Sequence, residues 1–211
     1  MEGVLVLSTK GRVFTNAVFG PVARTLVRAG VSPDAVTVTG TVLTVGVALW
    51  LLPTGHFVAG PLAITLVVLF DSVDGLMART LGRSTRWGAF LDSTLDRVSD
   101  AAIFSGILLW AIDRDETAVL ATALACLVLG SVVPYARARA EGLGLTASGG
   151  IAERADRLFV ALAAVFAVGL GAPVIVLVVA LALLALASLY TVGQRTGTVY
   201  RQTRADAQEA R

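Results

Sequence analysis

Six long apolar stretches, parted by short polar or glycine- and proline-bearing segments, organise the chain, and each reads as a helix that crosses a bilayer. They run from Val36 to Leu52, Phe57 to Ala78, Gly88 to Ala111, Thr117 to Ala136, Arg157 to Leu170 and Val174 to Val192, against the roughly 20 residues that the hydrocarbon requires. The last two belong to one apolar run, Leu158 to Tyr190. As a single helix at about 1.5 Å per residue it would be too long for one crossing, and Gly169-Leu-Gly171-Ala-Pro173 supplies the break. Residues 8 to 30 show another pattern. There Arg12, Arg24 and Arg28 are interleaved with Val13, Phe14, Val18, Phe19, Leu26 and Val27, as in an amphipathic helix lying in the membrane interface; a partly ordered basic leader is the alternative. Ser32-Pro33-Asp34 is the start of the next helix, a cap followed by proline in the first turn. Beyond Gln194 the chain turns polar and is expected to be mobile. The expected fold is an all-α integral membrane protein without internal repeats. It has an interfacial region over 1–35, a six-helix transmembrane domain over 36–193 and a polar cytoplasmic tail over 194–211.

Composition agrees. Of 211 residues, 56% are hydrophobic and 15% charged, and mean hydropathy is +0.80; soluble proteins carry about 25% charged residues. The net charge of +2 does not indicate nucleic acid, because the basic residues form short clusters between apolar runs. With six crossings, sixteen of the seventeen Lys and Arg residues fall on one face: Lys10, Arg12, Arg24 and Arg28; Arg79, Arg83, Arg86 and Arg97; Arg137, Arg139, Arg154 and Arg157; Arg195, Arg201, Arg204 and Arg211. Arg114 alone is left for the other. The positive-inside rule makes the basic face cytoplasmic, with both termini inside. The first ten residues lack the basic lead and long apolar core of a signal peptide, and the lone Cys126, inside an apolar run, reads as packing.

Against this background the acidic residues stand out. Asp71 and Asp74 close the second apolar stretch, and Asp92 and Asp96 open the third. A carboxylate at membrane depth costs about 2.5–3.5 kcal/mol on insertion scales, so a cluster of them marks a function. Spacings of three and four put each pair on one helical face, and two antiparallel helices with a short connection bring the pairs side by side. Hard oxygen donors suit Mg²⁺ or Mn²⁺, ions that keep waters and bind substrate phosphates through a few carboxylates; one acid is then left for proton transfer. Gly75 and Gly88, in the same segment, would allow a bulky ligand or a neighbouring helix to come close. Asp100 extends the Asp92, Asp96 row by four as a supporting hydrogen-bonding group. The competing explanation for the acids is ion pairing with Arg79, Arg83, Arg86 and Arg97.

Asp-x2-Asp-Gly-x2-Ala-Arg-x8-Gly-x3-Asp-x3-Asp, matched at every fixed position from Asp71 to Asp96, resembles the motif of the CDP-alcohol phosphotransferases. The resemblance implies a divalent-metal enzyme that moves a phosphatidyl group from a CDP-linked lipid, CDP-diacylglycerol, onto an alcohol and releases CMP. It implies metal ligation by Asp71, Asp74 and Asp92, with Asp96 as general base and as a ligand of a second metal. It further implies nucleotide contacts at Asp34, Thr37, Gly75, Ala78, Arg79 and Thr85, and a homodimer. Pro134-Tyr135-Ala-Arg137-Ala-Arg139-Ala-Glu141, Ile151-Ala-Glu153-Arg154-Ala-Asp156-Arg157, Gln194-Arg195, Ser99-Asp100 and the run from Arg24 to Asp34 resemble the actinobacterial phosphatidylinositol phosphate synthase branch. There, Arg137, Arg157 and Arg195, with Arg154 as a further candidate, would bind the phosphate of inositol 3-phosphate. Position 137 departs from the branch's usual lysine, which keeps the charge and changes the geometry. Topology alone is the competing explanation for these arginines. Within the family the alternative is a phosphatidylglycerophosphate synthase, and outside it a cation-relay transporter, which midplane acids and repeats would favour.

Overall fold

The computed structural model describes residues 20–80, 85–151 and 153–209, and for 71, 72, 74, 75, 78–80 and 209 the backbone alone. Its regular elements are all helices: α1 (20–28), α2 (Pro33–Leu51), α3 (Ala59–Thr80), α4 (Arg86–Asp113), α5 (Thr117–Glu141), α6 (Arg154–Gly169) and α7 (Ile175–Glu209). Each of the six apolar stretches is one of α2 to α7. The start of α2 is capped as expected, Ala35 N–H donating to Ser32 Oγ at 3.2 Å. The break between α6 and α7 also falls where glycine and proline put it, with Gly171 at φ +101°. Gly169 has a second reason to lack a side chain: a β-carbon there would lie 2.5 Å from the Phe57 carbonyl carbon.

Three helices among the described residues are long and apolar enough to cross a membrane: Pro33–Leu51, Thr117–Glu141 and Ile175–Gln208. Ala59–Phe70 is a shorter apolar stretch. α4 is long but carries Arg86, Asp92, Asp96, Arg97, Asp100 and Asp113 within its 28 residues, and α6 has only 16 residues. The charges that keep α4 from reading as a plain span include those of chemical interest.

The residues group into two compact units. One holds the chain up to Val47 with Ala63–Ser99, and the other holds Ala48–Leu62 with Asp100–Arg211. In the first, Ala23 of α1, flanked by Val22, Leu26 and Val27, packs against Val73, Leu76 and Met77 of α3. The described part of the amphipathic segment thus buries its apolar side on a protein helix, with Arg24 and Arg28 exposed. In the second, α7 packs against α5 and α6 around buried Val119, Val165, Leu177 and Leu181. The Cys126 thiol there donates to the Leu181 carbonyl at 3.1 Å. Beyond Gln194 the chain is a continuation of α7, helical to Glu209, and not a separate coil. Its helix-favouring Arg, Gln and Ala residues support this, and Gln202 Nε2 donates to the Thr146 carbonyl at 2.6 Å.

Candidate active site

α3 brings Asp71 and Asp74 into the first unit. At about 100° per residue, positions 71, 74, 75 and 78 fall on the other side of the helix from 73, 76 and 77, the residues packed under α1. The side chains of Asp71, Asp74, Gly75, Ala78 and Arg79 lie outside the described residues, as does Arg83. On α4, Asp92 is exposed and has no hydrogen bond or ion pair with a described residue. Asp96, one turn on, is half-buried, 3.5 Å from Arg97 Nη2. Of the arginines that might have neutralised the acids, Arg97 therefore meets one of them, at the long end of the range for an ion pair.

Among the described residues no three His, Cys, Asp or Glu side chains gather around one point, a search that does not reach the acids of α3. The described half fits a divalent cation in its donor chemistry: two carboxylates one helical turn apart, Asp92 without a protein partner among the described residues. A β-carbon at Gly88 would meet Thr85 Oγ1 at 3.2 Å and Asp34 Oδ1 at 3.8 Å, so the glycine packs closely against a hydroxyl with a carboxylate next to it.

That junction is built by local rules. Thr85 caps α4, its Oγ1 accepting from Gly88 N–H at 2.9 Å. Asp34, in the first turn of α2, accepts from Trp87 Nε1 at 3.1 Å. Two expected nucleotide residues, Asp34 and Thr85, thus meet beside Gly88. Thr37 is buried one turn along α2, donating to the Pro33 carbonyl at 3.1 Å. Sequence reasoning misses Trp87. Its partner is 53 positions away in the chain, and the one local sign is an exposed tryptophan set between Thr85 and Gly88.

In the second unit the four arginines are held in three ways. Arg154 Nε donates to Asp100 Oδ1 at 2.9 Å, and Arg157 Nη2 lies 3.5 Å from Asp100 Oδ2. Arg157 is 3% exposed and also lies 3.5 Å from the Gly130 carbonyl oxygen. Asp100 is therefore an ion-pairing residue that serves both. Arg195 is oriented by backbone, donating from Nε to the Gly149 carbonyl at 3.0 Å and from Nη1 to the Val133 carbonyl. Carbonyl oxygens orient a guanidinium without neutralising it, so its charge stays available to an anion. Arg137 donates to Glu141 Oε1 at 2.8 Å, both side chains being 56% exposed, a surface pair of small energetic value. Arg137, Glu141 and Glu153 are the charged groups that act on Arg195 from nearby.

The chain matches the model of the CDP-alcohol phosphatidyltransferase family over residues 30–184. It is 47% identical to a phosphatidylinositol phosphate synthase of Streptomyces avermitilis, over 99% of this chain and 88% of that one. It is 44% identical to the synthase of Mycobacteroides abscessus, over 94% and 89%. The crystal structure of the Mycobacterium tuberculosis phosphatidylinositol phosphate synthase with CDP-DAG bound superposes with a TM-score of 0.82 at 42% identity, covering 87% of this chain and 94% of that one. The same enzyme in complex with manganese and citrate gives 0.83 at 42% identity, covering 87% and 89%.

Proposed function

The chain belongs to the CDP-alcohol phosphatidyltransferase family and is a transferase, and from that premise we propose that it moves the phosphatidyl group of CDP-diacylglycerol onto inositol 3-phosphate, giving phosphatidylinositol phosphate and CMP. The observation that carries the reading is the run from Asp71 to Asp96, two aspartates on each of two consecutive helices, in a chain 47% identical to a phosphatidylinositol phosphate synthase. Asp71, Asp74 and Asp92 would hold a divalent ion, Mg²⁺ or Mn²⁺, with Asp96 able to join a second; bound there it would offset charge on the diphosphate and on departing CMP.

The rest falls to the protein. Asp96 takes the proton of the acceptor hydroxyl as that oxygen attacks the lipid-side phosphorus. Its half-buried position beside Arg97 supports this role. Asp34, Thr37, Gly75, Ala78, Arg79 and Thr85 receive the nucleotide, with Trp87 keeping the Asp34 carboxylate oriented. Arg137, Arg157 and Arg195, with Arg154, bind the acceptor's phosphate, for which guanidinium forks suit the dianion. The positive-inside count supports six crossings with both termini and the active site facing the cytoplasm. The lipid tails then stay in the bilayer while the soluble acceptor arrives from the cytoplasm, and a homodimer is the assembly we infer. A panel of acceptors, assayed for CMP release from CDP-diacylglycerol with Mg²⁺, tests the assignment. Turnover with inositol 3-phosphate, lost in chelator and restored by the ion, is expected. Turnover with glycerol 3-phosphate alone would make the chain a phosphatidylglycerophosphate synthase instead.

A further inference from the structure

α5 carries a proline in its interior, Pro134, within a helix long and apolar enough to cross a membrane. Proline has no N–H to give the carbonyl four residues earlier, so the Gly130 carbonyl lacks its ordinary helical donor. In a membrane a carbonyl freed in this way is costly unless a neighbouring helix serves it. Here the neighbour is α6, whose Arg157 Nη2 lies 3.5 Å from the Gly130 oxygen. Residue 130 and the guanidinium are close in another sense too, since a β-carbon on Gly130 would stand 3.8 Å from Arg157 Nε. One residue before the proline, the Val133 carbonyl accepts from Arg195 Nη1. The proline-bearing turn of α5 therefore receives guanidinium groups from both α6 and α7.

The other anchor of Arg157 is on α4. Its Nη2 lies 3.5 Å from Asp100 Oδ2, and Asp100, one helical turn beyond Asp96 on the same helix, is buried, as is Arg157. Each of the two contacts is at the long end of its range, so the placement of the guanidinium depends on keeping both. They differ in kind. The carboxylate attracts the charge from many directions, whereas a carbonyl lone pair prefers a donor near the plane of its peptide. We propose that Pro134 is a positioning residue for the acceptor: by withholding an N–H from Gly130 it leaves that carbonyl to Arg157, and so sets the direction of the guanidinium. This rests on the reading of Arg157 as a residue that binds the acceptor. The competing explanation is a proline that only bends α5.

Pro134→Ala supplies an N–H that competes for the Gly130 carbonyl, and it relieves the helix of its proline. The thermal midpoint in detergent is expected to hold or rise. The KM for inositol 3-phosphate is expected to rise about fivefold, the worth of one hydrogen bond, with kcat and the KM for CDP-diacylglycerol unchanged. In an Arg157→Gln background, assayed below the thermal midpoint of each variant, the same change is expected to add nothing, because substitutions acting through one contact are not additive. An equal rise in that background would mean that the proline acts by bending α5, and would overturn the proposal. So would a lower thermal midpoint with a reduced kcat, which would make Pro134 a determinant of the fold. An acceptor KM unmoved by Pro134→Ala but raised by Arg157→Gln would overturn the role of Pro134 and leave Arg157 as an acceptor residue. An acceptor KM unmoved by either would remove both.

Discussion

The four candidate aspartates of α3 and α4 and the four candidate arginines of α5 to α7 are both polar groups within an apolar chain, yet they differ in what else they are able to do. An aspartate in a hydrophobic stretch seldom has a structural use that repays its desolvation, Asp100 with its two arginines being one that does, so four at spacings of three and four point to a function from the sequence itself. An arginine at the end of a membrane helix has a ready alternative use, since topology alone asks for it. Its role is set by its partner. Arg154 and Arg157 share Asp100, Arg195 hangs from two backbone carbonyls, and Arg137 meets a surface carboxylate. The same residue type is thus held by a buried carboxylate, by backbone carbonyls and by a surface carboxylate.

That contrast can be broken by substitution, and the largest effect belongs to the acids. Asp96→Asn should lower CMP release by about 10³-fold, within the range general-base removal produces, with thermal stability in detergent unchanged; a loss below tenfold would move the proton acceptor elsewhere. Next comes the scaffold arginine. Arg157→Met leaves Asp100 with Arg154 as its remaining ion pair and should destabilise the fold by about 3 kcal/mol, seen as a lower thermal midpoint. Trp87→Phe removes the hydrogen bond to Asp34, worth roughly 1 kcal/mol, and should raise the KM for CDP-diacylglycerol severalfold while sparing the acceptor KM. An equal rise in both would blur the division between acidic and basic residues. The smallest effect on stability is at Arg137, where Arg137→Ala should shift the thermal midpoint by no more than a stability change of about 0.5 kcal/mol would, since its pair with Glu141 is exposed.

Much of this is legible in the chain's apolar and acidic pattern. Helices α2 to α7 follow from apolar runs and from breakers such as Gly169 to Pro173, and three of them, among the described residues, are long and apolar enough to cross a membrane. Asp92 and Asp96 stand out in the sequence because an apolar helix seldom has a structural use for a carboxylate. Asp100 is only half legible: its spacing places it on the row with Asp96, but its partners are 54 and 57 residues away, beyond what local pattern records. Trp87 is invisible for the same reason. The polar end of α7 reads as a mobile tail because hydropathy stops at Val192, whereas helix propensity and the clip to Thr146 continue past it. In each case the missing information is a tertiary partner.

The most direct test is an acceptor titration on Arg195→Gln, with CMP release as the readout. If arginines choose the acceptor and aspartates run the chemistry, the KM for inositol 3-phosphate rises about 10- to 100-fold, the value of one or two charge-assisted hydrogen bonds. The kcat and the KM for CDP-diacylglycerol then stay near those of the unsubstituted protein. A fall in kcat with the acceptor KM unchanged would contradict that division.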